Sequence, residues 1–378
     1  MRPSRQRDRG SIPPSTTDAA ARRPWHSAAP MDPRARRERP SPRVARVTLA
    51  TLLAVAALLC AFLAWATLMP GKSFEGALPP LDAREASHVG ELRADVEQLA
   101  GAIGERNHAN QVALERARDH VERALGAAGY TPRRLRHEVA GQGADNVEVE
   151  LRGSSQAEEI VVVGAHYDAA MGAPGADDNA SGVAALLALA RAFHAERPSK
   201  TLRFVAFADE EPPYFWTETM GSVVYARGCK ARGERVVAML SLESLGYFRD
   251  EPGSQRYPFP LDLLYPSAGN FVAFVGNGAS RGLVRESVAR FRESAHLPSE
   301  GAALPGFIPG VGWSDQWSFW EQGYPALMVT DTAPFRNPHY HTGGDLPETL
   351  DYARLARVVE GLRGLIGSLA QVAPGPTR

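Results

Sequence analysis

The sequence predicts an α/β fold, a three-layer sandwich with a mostly parallel central sheet flanked by helices, preceded by one transmembrane helix. Two observations carry that expectation. From residue 160 onward short apolar runs of strand length alternate with longer runs of helical period, the pattern of βαβ units. Ahead of them, Val47 to Met69 forms 23 residues without a charge. At about 1.5 Å of rise per residue such a run covers the roughly 30 Å hydrocarbon core of a bilayer.

The 378 residues are 44% hydrophobic and 22% charged, which suits folded protein and excludes collagen-like, wholly disordered and fully membrane-embedded chains. The formal charge of −1 hides an asymmetry. Residues 1–46 hold 12 Arg against Asp8, Asp18, Asp32 and Glu38, so everything after them carries a net −9. An acidic folded part offers no surface for nucleic acid. Cys60 lies in the apolar run and Cys229 stands alone after it, so no disulfide forms within one folded domain.

Element by element, residues 1–46 are rich in Arg, Pro and Ser without apolar periodicity and are expected to be a disordered cytoplasmic tail. Residues 47–69 are expected to be a membrane anchor. A cleaved signal peptide has a shorter apolar core and a small-residue cleavage site, which this stretch lacks. Arg34, Arg36, Arg37, Arg39, Arg43 and Arg46 precede the span and only Lys72 follows closely, so the positive-inside rule places the N-terminus in the cytoplasm and the remaining chain outside it. Residues 70–82 read as a Pro/Gly linker and 83–373 as the folded domain. Val89, Leu92, Val96 and Leu99, then Val112, Leu114, Ala117, Val121 and Leu125, mark two amphipathic helices that stop near Gly129. Strands follow at 160–163, 202–207, 236–242, 271–275 and 326–329, with helices at 183–193 and 350–369. No internal repeat is visible.

Open α/β sheets bind ligands beyond the carboxyl ends of their strands. The residues found there are consistent in type. His166 and Asp168 follow the first strand, with Asp177 and Asp178 a few residues on. Asp209, Glu210 and Glu211 follow the second strand and Glu243 ends the third. His339, His341 and Asp345 precede the last helix. Taken singly each has an ordinary reading: His166 as a hydrogen-bonded core histidine, Asp177 and Asp178 as a helix cap, Glu210 and Glu211 as a solvated pair. Glu243, however, sits between an apolar run and Ser244-Leu245-Gly246, and an unpaired buried carboxylate is costly. Oxygen and imidazole donors from several loops, with no Cys among them, suit one or two zinc ions or a similar divalent metal. The residue before a proline avoids the helical region, so Pro212 is expected to hold Glu211 extended just past its strand.

These segments, Gly164-Ala165-His166-Tyr167-Asp168, Gly175-Ala176-Asp177-Asp178-Asn179-Ala180-Ser181-Gly182, Phe207-Ala208-Asp209-Glu210-Glu211, Ser241-Leu242-Glu243, Ser314-Asp315 and His341-Thr342-Gly343-Gly344-Asp345, resemble in order and spacing, from about residue 90 to 370, the cocatalytic zinc exopeptidase family. That family includes bacterial secreted aminopeptidases, glutamate carboxypeptidase and glutaminyl cyclases. The resemblance implies that Asp177 bridges two zinc ions, that Glu211 and His341 complete one site and His166 and Glu243 the other, and that the Asp177–Asp178 peptide is cis. It further implies that Glu210 is the general base and that Asp168 orients His166. Of His339 and His341 only one can point inward if the segment is extended, and Thr342 with Asp345, the second supporting acid, favours His341. The implied substrate is a peptide, with an aminopeptidase as the expected activity. Two departures stand out: Glu243 occupies a position that is most often Asp in the family, and Gln316 one where many relatives have His.

Three rivals remain. Glutaminyl cyclisation on the same fold uses one zinc and releases ammonia. A serine hydrolase reading rests on Gly278-Ala279-Ser280-Arg281-Gly282, with Asp315 and His341 as partners, against the plainer expectation that Ser280 caps the following helix. A degenerate binding module is disfavoured by the full set of candidate ligands.

Overall fold

The computed structural model describes residues 41–372. The expectation for the arginine-rich tail falls, up to residue 40, outside the described residues. The first helix, α1 (Pro42–Thr67), is long and apolar enough to cross a membrane.

The residues after it build one mixed sheet of eight strands in the order β1-β2-β4-β3-β5-β8-β6-β7. These strands are β1 (Arg133–Val139), β2 (Gln142–Leu151), β3 (Gln156–His166), β4 (Lys200–Phe207), β5 (Arg235–Glu243), β6 (Val272–Gly276), β7 (Ser299–Ala303) and β8 (Ala326–Thr330). The central strands β4, β3, β5 and β8 run parallel. Antiparallel pairs lie to either side, β1 with β2 and β2 with β4 on one, β6 with β8 on the other.

The central strands read as unbroken apolar runs because both their faces are covered. Val161, Val163, Phe204, Leu240 and Leu242 face one core. It is closed by α2 (Ala83–Val96), α3 (Gln111–Ala127), α4 (Gly182–Phe193), α6 (Arg281–Ser294) and α9 (Tyr352–Leu369). Ile160, Val162, Val205, Phe207 and Met239 face the other core, beneath α5 (Gly221–Ala231) and α7 (Gln316–Trp320), with the four-residue α8 (Ala333–Arg336) following β8. Each fully buried Val, Leu or Phe stabilises such a layer by about 1.5–3 kcal/mol.

Three strands escape the sequence reading. β1 and β2 form a hairpin whose turn residues Ala140 and Gly141 both have positive φ, the geometry of a two-residue primed turn. β2 is polar even though much of it is buried, because Asp145 pairs with Arg118 at 3.0 Å and Glu148 with Arg133 and the Tyr225 hydroxyl. β7, with the sequence SEGAA, has no apolar run at all.

The stretch 70–82, expected as a linker, is held against the domain. The Ser299 amide donates to Ser73 Oγ at 2.9 Å, Arg357 donates to the Pro79 carbonyl, and Asp82 caps α2 through a reciprocal hydrogen-bond pair with Glu85.

Register places the chemistry. Gly164 pairs with Ser241 and Glu243 with Thr330, so His166, at the end of β3, comes level with Glu243 at the end of β5.

Candidate metal centre

Six side chains converge beyond the carboxyl ends of β3, β4 and β5. His166 ends β3, Glu210 and Glu211 follow β4, and Glu243 ends β5. The loop into α4 supplies Asp178, and the loop after α8 supplies His341. Asp178 holds the centre of the group. Its Oδ1 lies 3.4 Å from His166 Nε2 and its Oδ2 lies 3.0 Å from His341 Nε2. Glu243 Oε2 is 3.1 Å from His166 Nε2, and Glu211 Oε2 is 3.2 Å from His341 Nε2. Two sets of three donors, His166-Asp178-Glu243 and Asp178-Glu211-His341, therefore share one carboxylate. Glu210 can also be grouped with His166 and Glu211, but at 3.8 Å from His166 Nε2 it is the outlying acid.

The bridging position corrects the expectation for Asp177. Its carboxylate is spent elsewhere, accepting from the Gly246 amide and from Asn337 Nδ2, both at 2.9 Å, and it is fully buried away from the cluster. Asp178 comes forward instead. Likewise the non-proline cis peptide is Asp178–Asn179 and not Asp177–Asp178.

The supporting contacts explain why the donors point inward. Asp345 takes the amides of Asp177 and Asp178 on its two oxygens, at 2.9 and 3.1 Å. Asn179 and Ser181 stitch the same loop to the end of β5 through the amides of Ser244 and Leu245. Asp168 faces His166 Nδ1 at 3.4 Å and also accepts from the amides of Glu210 and Glu211, at 3.1 and 3.0 Å. One carboxylate thus faces an imidazole, as expected, and aims two neighbouring acids, where the sequence had pointed to Pro212 for Glu211 alone. Glu243, long for its position, is steadied by hydroxyl donors, Ser314 Oγ at 2.7 Å and Ser244 Oγ at 2.9 Å. Tyr340 stacks on His341 with ring centroids 3.9 Å apart. His339 stays outside the cluster, its ring edge-on to Tyr247.

Sequence reasoning missed Arg106 and Asn337. Arg106 is wholly buried and donates to the carbonyls of Tyr167, Pro174 and Gly175, bracing both arms of the loop that carries Asp178. Nothing marks it among 39 arginines. Gln316 lies apart from the cluster; its amide donates to the Val311 carbonyl. Ser280 stands at the start of α6, but its hydroxyl makes no capping bond and instead accepts from the Ala326 amide at the beginning of β8. Glu243 pairs with Thr330 at the other end of β8, so Ser280 sits at the opposite end of that strand from His341's cluster and no serine triad forms.

Burial and the neighbouring carboxylates Glu211, Glu243 and Asp315 hold Glu210 well above the ordinary carboxylate range. Burial and Asp178 push Glu211 up to about 7. Asp178 is also buried, yet the two imidazoles beside it hold it below its usual value. Burial would lower the imidazoles, but the acids around them win, carrying His341 to about 10 and His166 well above its ordinary value. Four buried acids crowd two imidazoles, with the buried Arg106 guanidinium near Asp178 and Glu211, and Glu211 Oε1 is left without a hydrogen-bond partner. Hard oxygen donors and imidazoles crowded in this way fit a divalent cation.

Beside Glu243 opens a largely apolar pocket, walled by Phe271, Val311, Trp313, Met328 and Phe335 and reaching Tyr340.

The family model described as Peptidase family M28 matches residues 146–366, more than half of the chain and the whole of the candidate cluster. The chain belongs to that family. Among curated relatives of this peptidase, the uncharacterized protein YfbL of Escherichia coli (strain K12) is 36% identical over 285 residues, 73% of this chain and 87% of its own. A probable leucine aminopeptidase of Trichophyton verrucosum (strain HKI 0517) is 29% identical over 239 residues, and the chain spans 57% of that relative's length. Among solved structures, BSAP, a zinc aminopeptidase from Bacillus subtilis, shares the fold with a TM-score of 0.59 at 14% identity, over 77% of this chain and 96% of its own.

Proposed function

We propose that the peptidase is a membrane-anchored zinc aminopeptidase that holds two metal ions and removes the N-terminal residue of peptides. One observation carries the reading: Asp178 turns one oxygen to each imidazole, with Glu243 beside His166 and Glu211 beside His341. The two donor sets would each hold one ion, with Asp178 common to both. Zinc, when bound, polarises a carbonyl and lowers the pKa of a bound water.

The chain's own groups do the rest. Glu210 is the acid left over when the two donor sets are filled. Its carboxylate takes a proton from the attacking water as the peptide carbon becomes tetrahedral, then delivers that proton to the departing amine nitrogen as the C–N bond breaks. Asp168 holds Glu210 and Glu211 in register throughout by their amides. The pocket beside Glu243 accepts an apolar side chain, as its apolar walls and the name of the Trichophyton relative both suggest.

Glutaminyl cyclisation would need one of the two donor sets and leave the other without a purpose. The test is a panel of leucyl, phenylalanyl, lysyl and glutaminyl peptides, each free and N-acetylated. The proposal expects release of free leucine or phenylalanine from unblocked peptides only. Ammonia release from glutaminyl peptides without hydrolysis of the others would establish the cyclase instead, and cleavage of the blocked peptides would remove the aminopeptidase assignment.

The apolar run of α1 follows the cluster of six arginines that ends at Arg46. That order places the N-terminus in the cytoplasm and the catalytic domain outside.

A further inference from the structure

Two loops of the domain present large apolar side chains to solvent. In the loop at 257–265 Phe259 is 82% exposed and Leu263 74%, and in the loop at 304–313 Phe307 is 87% exposed. Leu264 is also exposed. Among residues 304–313 there is no charge, and among residues 257–265 only Asp262. Side chains of this size cost free energy in water, and such a cluster marks a surface that meets another apolar phase.

What that phase is follows from what the loops pack on. Their inner faces enclose the end of the apolar helix: Ala66 is buried in a cluster with Leu261, Ala302, Leu304 and Val311, with Ile308 against it. The helix end is fixed there by α6 and β7. Arg281 donates to the Trp65 carbonyl at 2.7 Å and covers the Trp65 ring at 4.8 Å. Arg285 donates to the Leu68 carbonyl, and Arg292 to those of Pro70 and Gly71 at 3.0 and 3.1 Å. Phe62, Trp65 and Leu68 remain exposed at this end. The exposed loop residues are therefore continuous with the end of the span. Exposed aromatic rings beside arginines at that level suit the boundary between acyl chains and headgroups.

We propose that Phe259, Leu263, Leu264 and Phe307 dip into the outer surface of the bilayer, so that the domain rests on the membrane and is not merely tethered to it. The proposal rests on the reading of α1 as a membrane span. The occupant of the ridge is lipid. Because the same two loops wall the cavity beside Glu243, the bilayer holds the cavity's outer wall in place.

The experiment uses the full chain in phosphatidylcholine and phosphatidylglycerol vesicles whose acyl chains carry a nitroxide. A polarity-sensitive fluorophore is attached at one cysteine at a time: native Cys60 in a Cys229→Ser background, or Leu263→Cys, Phe307→Cys or Glu138→Cys with both native cysteines replaced by Ser. Glu138 lies on β1, at the opposite edge of the sheet from β7. Peptide hydrolysis by each labelled protein checks that it is folded. The proposal expects blue-shifted emission and loss of most fluorescence at positions 60, 263 and 307, with position 138 unaffected. Quenching at 60 without quenching at 263 and 307 overturns the docked ridge and leaves the anchor intact. No quenching at 60 removes the anchor, and the ridge with it. Equal quenching at 138 means unspecific adsorption and also overturns the proposal.

Discussion

At the scale of single residues, neighbouring acids do different work, and substitution should separate them. Asp178→Ala removes an oxygen from both donor sets, so zinc binding and hydrolysis should both be lost. Asp177→Asn leaves the donor sets complete but disturbs the bonds from Gly246 and Asn337, so zinc content should persist while thermal stability falls. Elemental analysis and calorimetry on the two variants check this, and zinc lost from Asp177→Asn but kept by Asp178→Ala would reverse the assignment. Glu211→Ala should lose zinc and activity together. Glu210→Gln keeps the size of the side chain but cannot accept a proton, so zinc content should stay near wild type while kcat falls by about 10²–10⁴-fold. A Glu210→Gln protein with normal turnover, or one without metal, would show that Glu210 is not the base. Metal uptake should also release protons. The imidazoles carry protons in the metal-free cluster, with His341 raised to about 10, and must lose them to act as donors. Affinity should therefore rise with pH, and titration heats in buffers of different ionisation enthalpy should differ; identical heats would contradict it. The donor types were legible because His166, Glu211, Glu243 and His341 each stand just past an apolar run or in a distinctive loop. The choice between Asp177 and Asp178 was not, since it depends on the backbone path from Gly175, in the left-handed region at φ 65, and on the Gly246 amide that captures Asp177.

At the scale of elements, legibility followed apolar content. β3, β4, β5 and β8 are covered on both faces and announce themselves as apolar runs. β1, β2 and β7 owe their place to hairpin geometry, ion pairs and register, which leave no apolar signature. Arg106 shows the same limit. It links the residues before α3 to the loop of Asp178 through carbonyls alone, and burial lowers its pKa only to about 10, so it stays charged at neutral pH. Arg106→Met would leave several buried carbonyls without donors, at a cost of about 1–3 kcal/mol for each group left unsatisfied. We expect a lower melting temperature and weaker zinc binding with Glu210 and the five donors unchanged. Zinc affinity equal to wild type at a temperature where the variant is folded would show that the brace does not position the loop. Asp168 gives a milder case. Asp168→Asn keeps a hydrogen-bonding side chain but weakens its hold on His166 and on the two amides, so a loss of about 10–100-fold in metal affinity or activity is expected, and zinc titration checks it.

At the scale of the whole molecule, the sheet gathers candidate donors from distant parts of the sequence at one end, while α1 is long and apolar enough to cross a membrane. The arginine cluster before the span leads to the expectation that protease added to intact spheroplasts removes the domain; protection until lysis would reverse the topology. The account's central claim is that hydrolysis depends on metal held by His166, Asp178, Glu211, Glu243 and His341. The most direct measurement is zinc counted per chain in the purified full-length protein, followed through stepwise chelation and zinc restoration while leucyl-peptide hydrolysis is recorded on the same samples. We predict about two zinc ions per chain, activity that falls as they leave, and recovery when zinc is returned. A chain that hydrolyses the peptide at full rate after its metal has gone would contradict the account.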